Sequence, residues 1–279
     1  MKRLAFLLFA LLSSSAFGWG EDGHRIVCQI AFDELTPSAR IEVRRLLALD
    51  PDFESFADAC LFADSPERIR FLDHFMNLPR STRAITSAEC PLAESCVISA
   101  IQNDFLVLQN AKASDAEKLL ALKLLGHWVG DVHQPLHVSF QDDRGGNSNT
   151  VDVDDPRVNL HGVWDYQIIA RNLGDDFLRI SEDLRNSITE KQRIEWQHDS
   201  PIEWVDESYQ ITISPSVNYC VQKQGACWYT NDNMMLDKGE PWRDITITED
   251  YLEMHAAIVS LRLQQAGIRM AELLNQAFQ

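Results

Sequence analysis

From Ser114 to Trp128 the sequence specifies a helix that is apolar on nearly all sides. Leu119, Leu120, Leu122, Leu124, Leu125 and Trp128 leave it no broad polar face. Such a helix is stable in water only when other elements surround it, so it should be central and buried. What surrounds it should be helical too. Apolar residues recur at helical spacing through most of the chain, and period-two alternation is confined to short runs. Thr36-Pro37 makes an N-cap and first-turn pair for a helix carrying Ile41, Val43, Leu46 and Leu47. Further helices are expected to begin near Asp22, Ala57, Ile98, Trp164, Asp175 and Ser200, with a long one from Glu249 to about Phe278. Two polar loops, Ser139 to Leu160 and Pro215 to Thr246, separate them, and loops of that length are where a site is completed. The expected class is all-α.

The N-terminus reads differently. Met1-Lys2-Arg3, the apolar run Leu4 to Leu12, and small residues ahead of Trp19 form a secretory signal peptide over residues 1–18. Its apolar core is far shorter than the roughly 20 residues of a bilayer-spanning helix. The mature protein is therefore expected to be secreted or periplasmic and monomeric. No linker, repeat or low-complexity stretch divides residues 19–279, so they read as one domain. The formal charge of −17 becomes −19 once Lys2 and Arg3 are removed. A chain so acidic cannot draw in a polyanion through its overall field, and any nucleic acid must be held by local positive charge. Six cysteines in an exported chain point to disulfides. Cys90 with Cys96 and Cys220 with Cys227 would close short loops and leave Cys28 with Cys60, but other pairings remain open. The spacings do not form the paired pattern of a zinc-thiolate site.

The buried helix ends in Gly126-His127-Trp128-Val129-Gly130-Asp131-Val132-His133-Gln134-Pro135-Leu136-His137. His127 and Asp131 are four apart and share one helix face, where they can grip one ion or two adjacent ones. Gln134-Pro135 breaks the helix and turns His137 back toward the same neighbourhood. His161 and Asp165 repeat the four-residue step at the start of another helix. Each pair taken singly is most often a surface ion pair. Set in an otherwise apolar helix they need partners, and a metal supplies them.

These strings, with the Asp143-Arg144-Gly145-Gly146-Asn147 loop, Trp19, His24, Ala63-Asp64 and His74-Phe75-Met76-Asn77, resemble the zinc-dependent single-strand-specific nucleases, the family of mung bean nuclease. The resemblance runs in order from Trp19 to about Asp165. It implies three zinc ions. One is held by Asp64, His74, His127 and Asp131, and a second by His137, His161 and Asp165. The third is held by the Trp19 amino group and carbonyl, His24 and the bridging Asp131. It also implies a phosphodiesterase acting on single-stranded DNA and RNA by attack of a zinc-bridging hydroxide, leaving 5′-phosphates, with 3′-nucleotidase action as a second outlet. Asp64 would orient the attacking water, Phe75 would stack on a base, and Asn77 would meet a base edge. His133 would support the site by hydrogen bonding. This chain departs from the pattern near Asp64. Phe62 stands where tryptophan is usual, and Glu67 stands where a cation is expected, so Arg68 or Arg70 must reach the phosphate, with Arg68 taken as the catalytic one. Two rival readings remain. A secreted zinc-dependent phospholipase C shares the N-terminal tryptophan and most ligands but typically closes the second pair with Glu, where this chain has Asp165. A noncatalytic zinc-stabilised binding protein would keep its metals coordinatively closed.

Overall fold

A computed structural model describes residues 19–152, 158–237 and 243–279; the expected signal peptide, 1–18, lies outside them. Most of these residues are helical, as the apolar spacing requires. In chain order the first helices are α1 (Glu21–Asp33), α2 (Pro37–Leu47), α3 (Phe56–Ala59), α4 (Val97–Gln109) and α5 (Asp115–His133). Then come α6 (Leu160–Gly162), a π-helical turn over Val163–Gln167, and α7 (Ile168–Asn172). α8 (Phe177–Ser187), α9 (Glu190–Gln197), α10 (Pro201–Thr212) and α11 (Glu249–Ala277) complete the helices. Thr36 caps α2 by accepting from the Ala39 N–H, with Pro37 in the first turn. Ser114 and Glu117 form a reciprocal capping box at the start of α5.

α5 is the central element: every residue from Ala121 to His133 is buried, between α1, α4, α10 and α11. Its close approach to α1 depends on two glycines one turn apart. A Cβ at Gly126 would lie 2.4 Å from Cys60 Sγ, and one at Gly130 would lie 2.5 Å from His24 Nδ1. No real Cβ tolerates such distances, so these glycines let α1 and the Cys28–Cys60 disulfide lie directly on α5. The other cysteines pair as Cys90–Cys96 and Cys220–Cys227, and no described cysteine is free.

The differences from the sequence reading are local. The helix expected to start near Trp164 begins at Leu160 and passes through a π turn. The helix expected near Ala57 is a single short turn, and α9 was not foreseen. The two polar loops hold short strands: β2 (Val138–Phe140) pairs in parallel with β1 (Met76–Leu78), and β3 (Thr150–Asp152) pairs in parallel with β6 (Asp244–Thr246). β4 (Val221–Lys223) and β5 (Ala226–Trp228) form a hairpin. Three-residue strands are too short for a period to register. The β1–β2 pair matters most, because it sets the residues after His74 beside those after His137. No described helix is long and apolar enough to cross a membrane.

Candidate metal centre

Asp131, on the last turns of α5, is fully buried at the meeting point of four imidazoles. His24 Nε2 of α1 lies 3.4 Å from its carboxylate, His74 Nδ1 3.1 Å, His127 Nε2 3.3 Å and His137 Nδ1 3.4 Å. None of these contacts is a hydrogen bond by geometry, and both Asp131 oxygens are buried without a hydrogen-bond partner among the described residues. A buried carboxylate left in that state is strongly unfavourable unless a cation sits among its neighbours. His24 is in the same position, with both ring nitrogens buried and unpartnered among the described residues.

The remaining imidazoles are oriented by main-chain carbonyls. His127 Nδ1 donates to Cys60 O at 2.7 Å, His74 Nε2 to Ile69 O at 3.2 Å, His137 Nδ1 to His74 O at 2.5 Å, and His161 Nδ1 to Gly145 O at 2.7 Å. With one nitrogen committed as donor, the neutral ring presents a lone pair at the other, which is the form that binds metal. His127 Nε2 and His74 Nδ1 then face each other at 3.2 Å as two lone pairs, an arrangement that a cation makes favourable. Three sets of side chains have ligand atoms all within 4.8 Å of one another: Asp64, His74 and His127; His137, His161 and Asp165; His24, His127 and Asp131. Imidazole and carboxylate sets of this kind suit zinc.

Electrostatics point the same way. Burial pushes His137 down to about 3 and His161 down to about 4, so both rings are neutral near pH 7. Burial opposes the Asp131 charge, but in acid, where the His127 and His137 imidazoles take up protons, their charge outweighs burial and holds its carboxyl well below the usual range. Asp165 is pushed well above that range by burial, despite the Gln134 Nε2 donor at 2.5 Å. A bound dication would reverse that shift.

All nine expected ligands can be located. Eight contribute side chains to the three sets. The ninth, Trp19, is buried, and Gly20 N beside it donates to Asp165 O at 2.9 Å, which ties this segment to the second His-Asp pair. Among side chains, the third set consists of His24, His127 and Asp131. His133 departs from expectation. Its Nδ1 bonds Val129 O at 2.8 Å and its Nε2 accepts from Arg269 at 2.9 Å, so among the described residues its ring hydrogen-bonds to none of the expected ligands.

Above the cluster lies a cleft of about 530 Å³, lined by Arg68, Phe75, His137, Arg144 and His161 among others. Asn77 lines it too, and shares with Phe75 a smaller recess beside the Cys90–Cys96 loop. Phe75 meets Phe71 edge to face at 5.3 Å. The two candidate cations separate here. Arg68 Nε lies 3.2 Å from Asp64 Oδ1 and its side chain lines the cleft, whereas Arg70 Nη1 grips both oxygens of Asp104 at 2.9 and 2.8 Å and lies over Trp128. Sequence reasoning missed two contributors. Gln134 looks like a mere helix stop, yet its amide anchors Asp165. Arg144 carried only a resemblance, with no role attached.

Comparison with known proteins gives a consistent result. The model of a family described as S1/P1 Nuclease matches residues 19–279. Endonuclease 2 of Arabidopsis thaliana is 30% identical over 288 residues, covering 98% of this chain and 94% of that protein. Nuclease S1 of Aspergillus oryzae is 27% identical over 279 residues, covering 95% of this chain and 93% of its own. Nuclease P1 of Penicillium citrinum is 26% identical over 180 residues, or 62% of this chain.

Proposed function

The chain belongs to the S1/P1 nuclease family of zinc-dependent hydrolases, and from that premise we propose how its residues divide the work of cleaving a single strand. One zinc is held by Asp64, His74, His127 and Asp131, a second by His137, His161 and Asp165, and a third by His24, Asp131 and the amino group and carbonyl of Trp19. The observation that carries this is Asp131, whose two buried oxygens have no hydrogen-bond partner among the described residues while four imidazoles surround them. Zinc bound there supplies an acidified water and neutralises phosphate oxygens. The protein supplies orientation. Asp64, largely buried beside Arg68, accepts a hydrogen bond from the attacking water, and Arg68, which lines the cleft, pairs with a phosphate oxygen. Phe75 stacks on an unpaired base, worth about 1–3 kcal/mol and indifferent to base identity, and Asn77 meets the base edge. A base inside a duplex cannot reach that wall without leaving its stack, which favours single strands.

The products are 5′-phosphate ends from DNA or RNA, with 3′-nucleotide dephosphorylation as a second outlet. The rival phospholipase and binding-protein readings are not favoured, since the matched family and relatives are nucleases. Removal of residues 1–18 delivers a secreted or periplasmic monomer of one domain starting at Trp19. The three disulfides fit an oxidising compartment.

Metal analysis of the processed protein, with cleavage of single-stranded DNA assayed before and after chelation, tests the proposal. About three zinc ions per chain and loss of cleavage on chelation are expected. Fewer than two ions, or cleavage that survives chelation, would contradict it.

A further inference from the structure

The Asp143-Arg144-Gly145-Gly146 turn is built to hold one exposed guanidinium at the cleft. Its three residues from Arg144 to Gly146 all have left-handed backbone, with φ of 57°, 65° and 82°. Glycine adopts that region freely, but an arginine does so at a cost. The turn is locked from below. Buried Asp143 accepts from Arg80 Nη2 at 2.9 Å, from Tyr219 Oη at 2.5 Å and from Gly146 N at 3.2 Å. Asn147 Nδ2 holds the Arg144 carbonyl at 2.7 Å, and Gly145 N donates to Phe140 O at 3.0 Å.

The Arg144 side chain lines the same cleft as Arg68, yet the two are employed differently. Arg68 is engaged by Asp64. Arg144 is exposed and forms no ion pair among the described residues. Both line the cleft together with His161. In a chain whose mature charge is −19, an unneutralised cation held on a rigid turn beside a phosphate-cleaving centre is the exception.

We infer that Arg144 binds the phosphate next along the strand from the one being cleaved, and so sets a preference for substrates that carry a flanking phosphate. The inference rests on the nuclease reading. A guanidinium pairs with a phosphodiester through two parallel N–H donors, and this one lines the cleft without belonging to any of the three ligand sets.

The test uses zinc-loaded protein with Arg144→Asn, which the left-handed turn accommodates, and Arg144→Lys. kcat/KM is measured on a thymidine pentanucleotide and on the corresponding dinucleoside monophosphate, which has no flanking phosphate, between roughly 50 and 200 mM salt. For Arg144→Asn, kcat/KM on the pentamer should fall about tenfold, chiefly through KM, and the loss on the dinucleoside should be several-fold smaller. The slope of log kcat/KM against log salt should flatten by about 0.7, and Arg144→Lys should restore it. An equal loss on both substrates with an unchanged slope would overturn the inference. So would zinc loss accompanying an equal fall, because Arg144 would then act only by shaping the turn that orients His161. If the wild-type protein cleaves neither substrate, the nuclease reading itself fails and takes the inference with it.

Discussion

Whether a buried imidazole can bind metal depends on which of its nitrogens is already spent. His74, His127, His137 and His161 each give one N–H to a carbonyl and keep the other nitrogen open toward the cluster. His133 spends both, on Val129 and Arg269; His255 gives Nδ1 to Tyr251 O at 2.7 Å and keeps Nε2 open, but it packs on Trp164 and joins none of the three ligand sets. Residue type does not separate these two groups; the carbonyls that orient His127, His137 and His161 come from segments 67, 63 and 16 positions away, which only the fold brings together. A pH dependence follows from the second group. Burial lowers the pKa of His255 below its ordinary value of 6.5, and burial with Arg262 and Arg269 lowers that of His133 further. Below about pH 6.5 the unfolded chain therefore binds protons that the folded chain refuses. Their contribution to stability is complete above about pH 6.5 and lost as the pH falls. Thermal unfolding in excess zinc should show Tm declining on that acid limb, and His255→Gln should decline less steeply. A wild-type Tm independent of pH over this range would refute the argument.

Two elements make the centre possible, and both depend on backbone features rather than on ligands. α5 admits α1 because Gly130 has no Cβ to strike His24, and Gly126 does the same for the Cys28–Cys60 disulfide. Asp165 sits in the π turn of the helix that also carries His161, a local irregularity common at functional sites. Gly130→Ala should therefore displace His24 while leaving the other two ligand sets in place. Zinc content is expected to fall by about one ion, and single-strand cleavage by about 10- to 100-fold. Elemental analysis and an oligonucleotide assay check both. Retention of full zinc and full rate would show that α1 yields without cost.

At the scale of the whole molecule, the cluster gathers α1, the turn before Phe75, α5, the Pro135 turn and the α6–α7 helix into one site, and proteolytic maturation enters as a structural step. Gly20 N bonds Asp165 O, so the residues at Trp19 are part of the fold, and cleavage before Trp19 would place a new amino group there. If Trp19 supplies its amino group, protein that keeps one extra methionine ahead of it should hold about two zinc ions instead of three and cleave single strands poorly. Equal zinc and equal rate in the extended and processed forms would remove Trp19 from the ligand set. The same assembly explains how an acidic chain binds a polyanion, because dications and cleft arginines concentrate positive charge at one place.

What was local in the sequence was legible there. The all-round apolar run of α5, the Thr36-Pro37 and Ser114 helix starts, and the two His-Asp steps of four residues all follow from periods of one helix turn. The ligands His24, Asp64 and His74 came only from resemblance, because no short-range pattern links His24 to Asp64, 40 positions on, or His74 to His127, 53 positions on. Arg68 and Arg70 could not be told apart, as a left-handed residue at Arg70, with φ of 54°, sends that side chain to Asp104. The role of Gln134, the freedom of Arg144 and the orphaned oxygens of Asp131 were decided by tertiary packing alone. Hydrogen-bond satisfaction and burial are properties of what surrounds an atom, and the surroundings exist only once the helices have met.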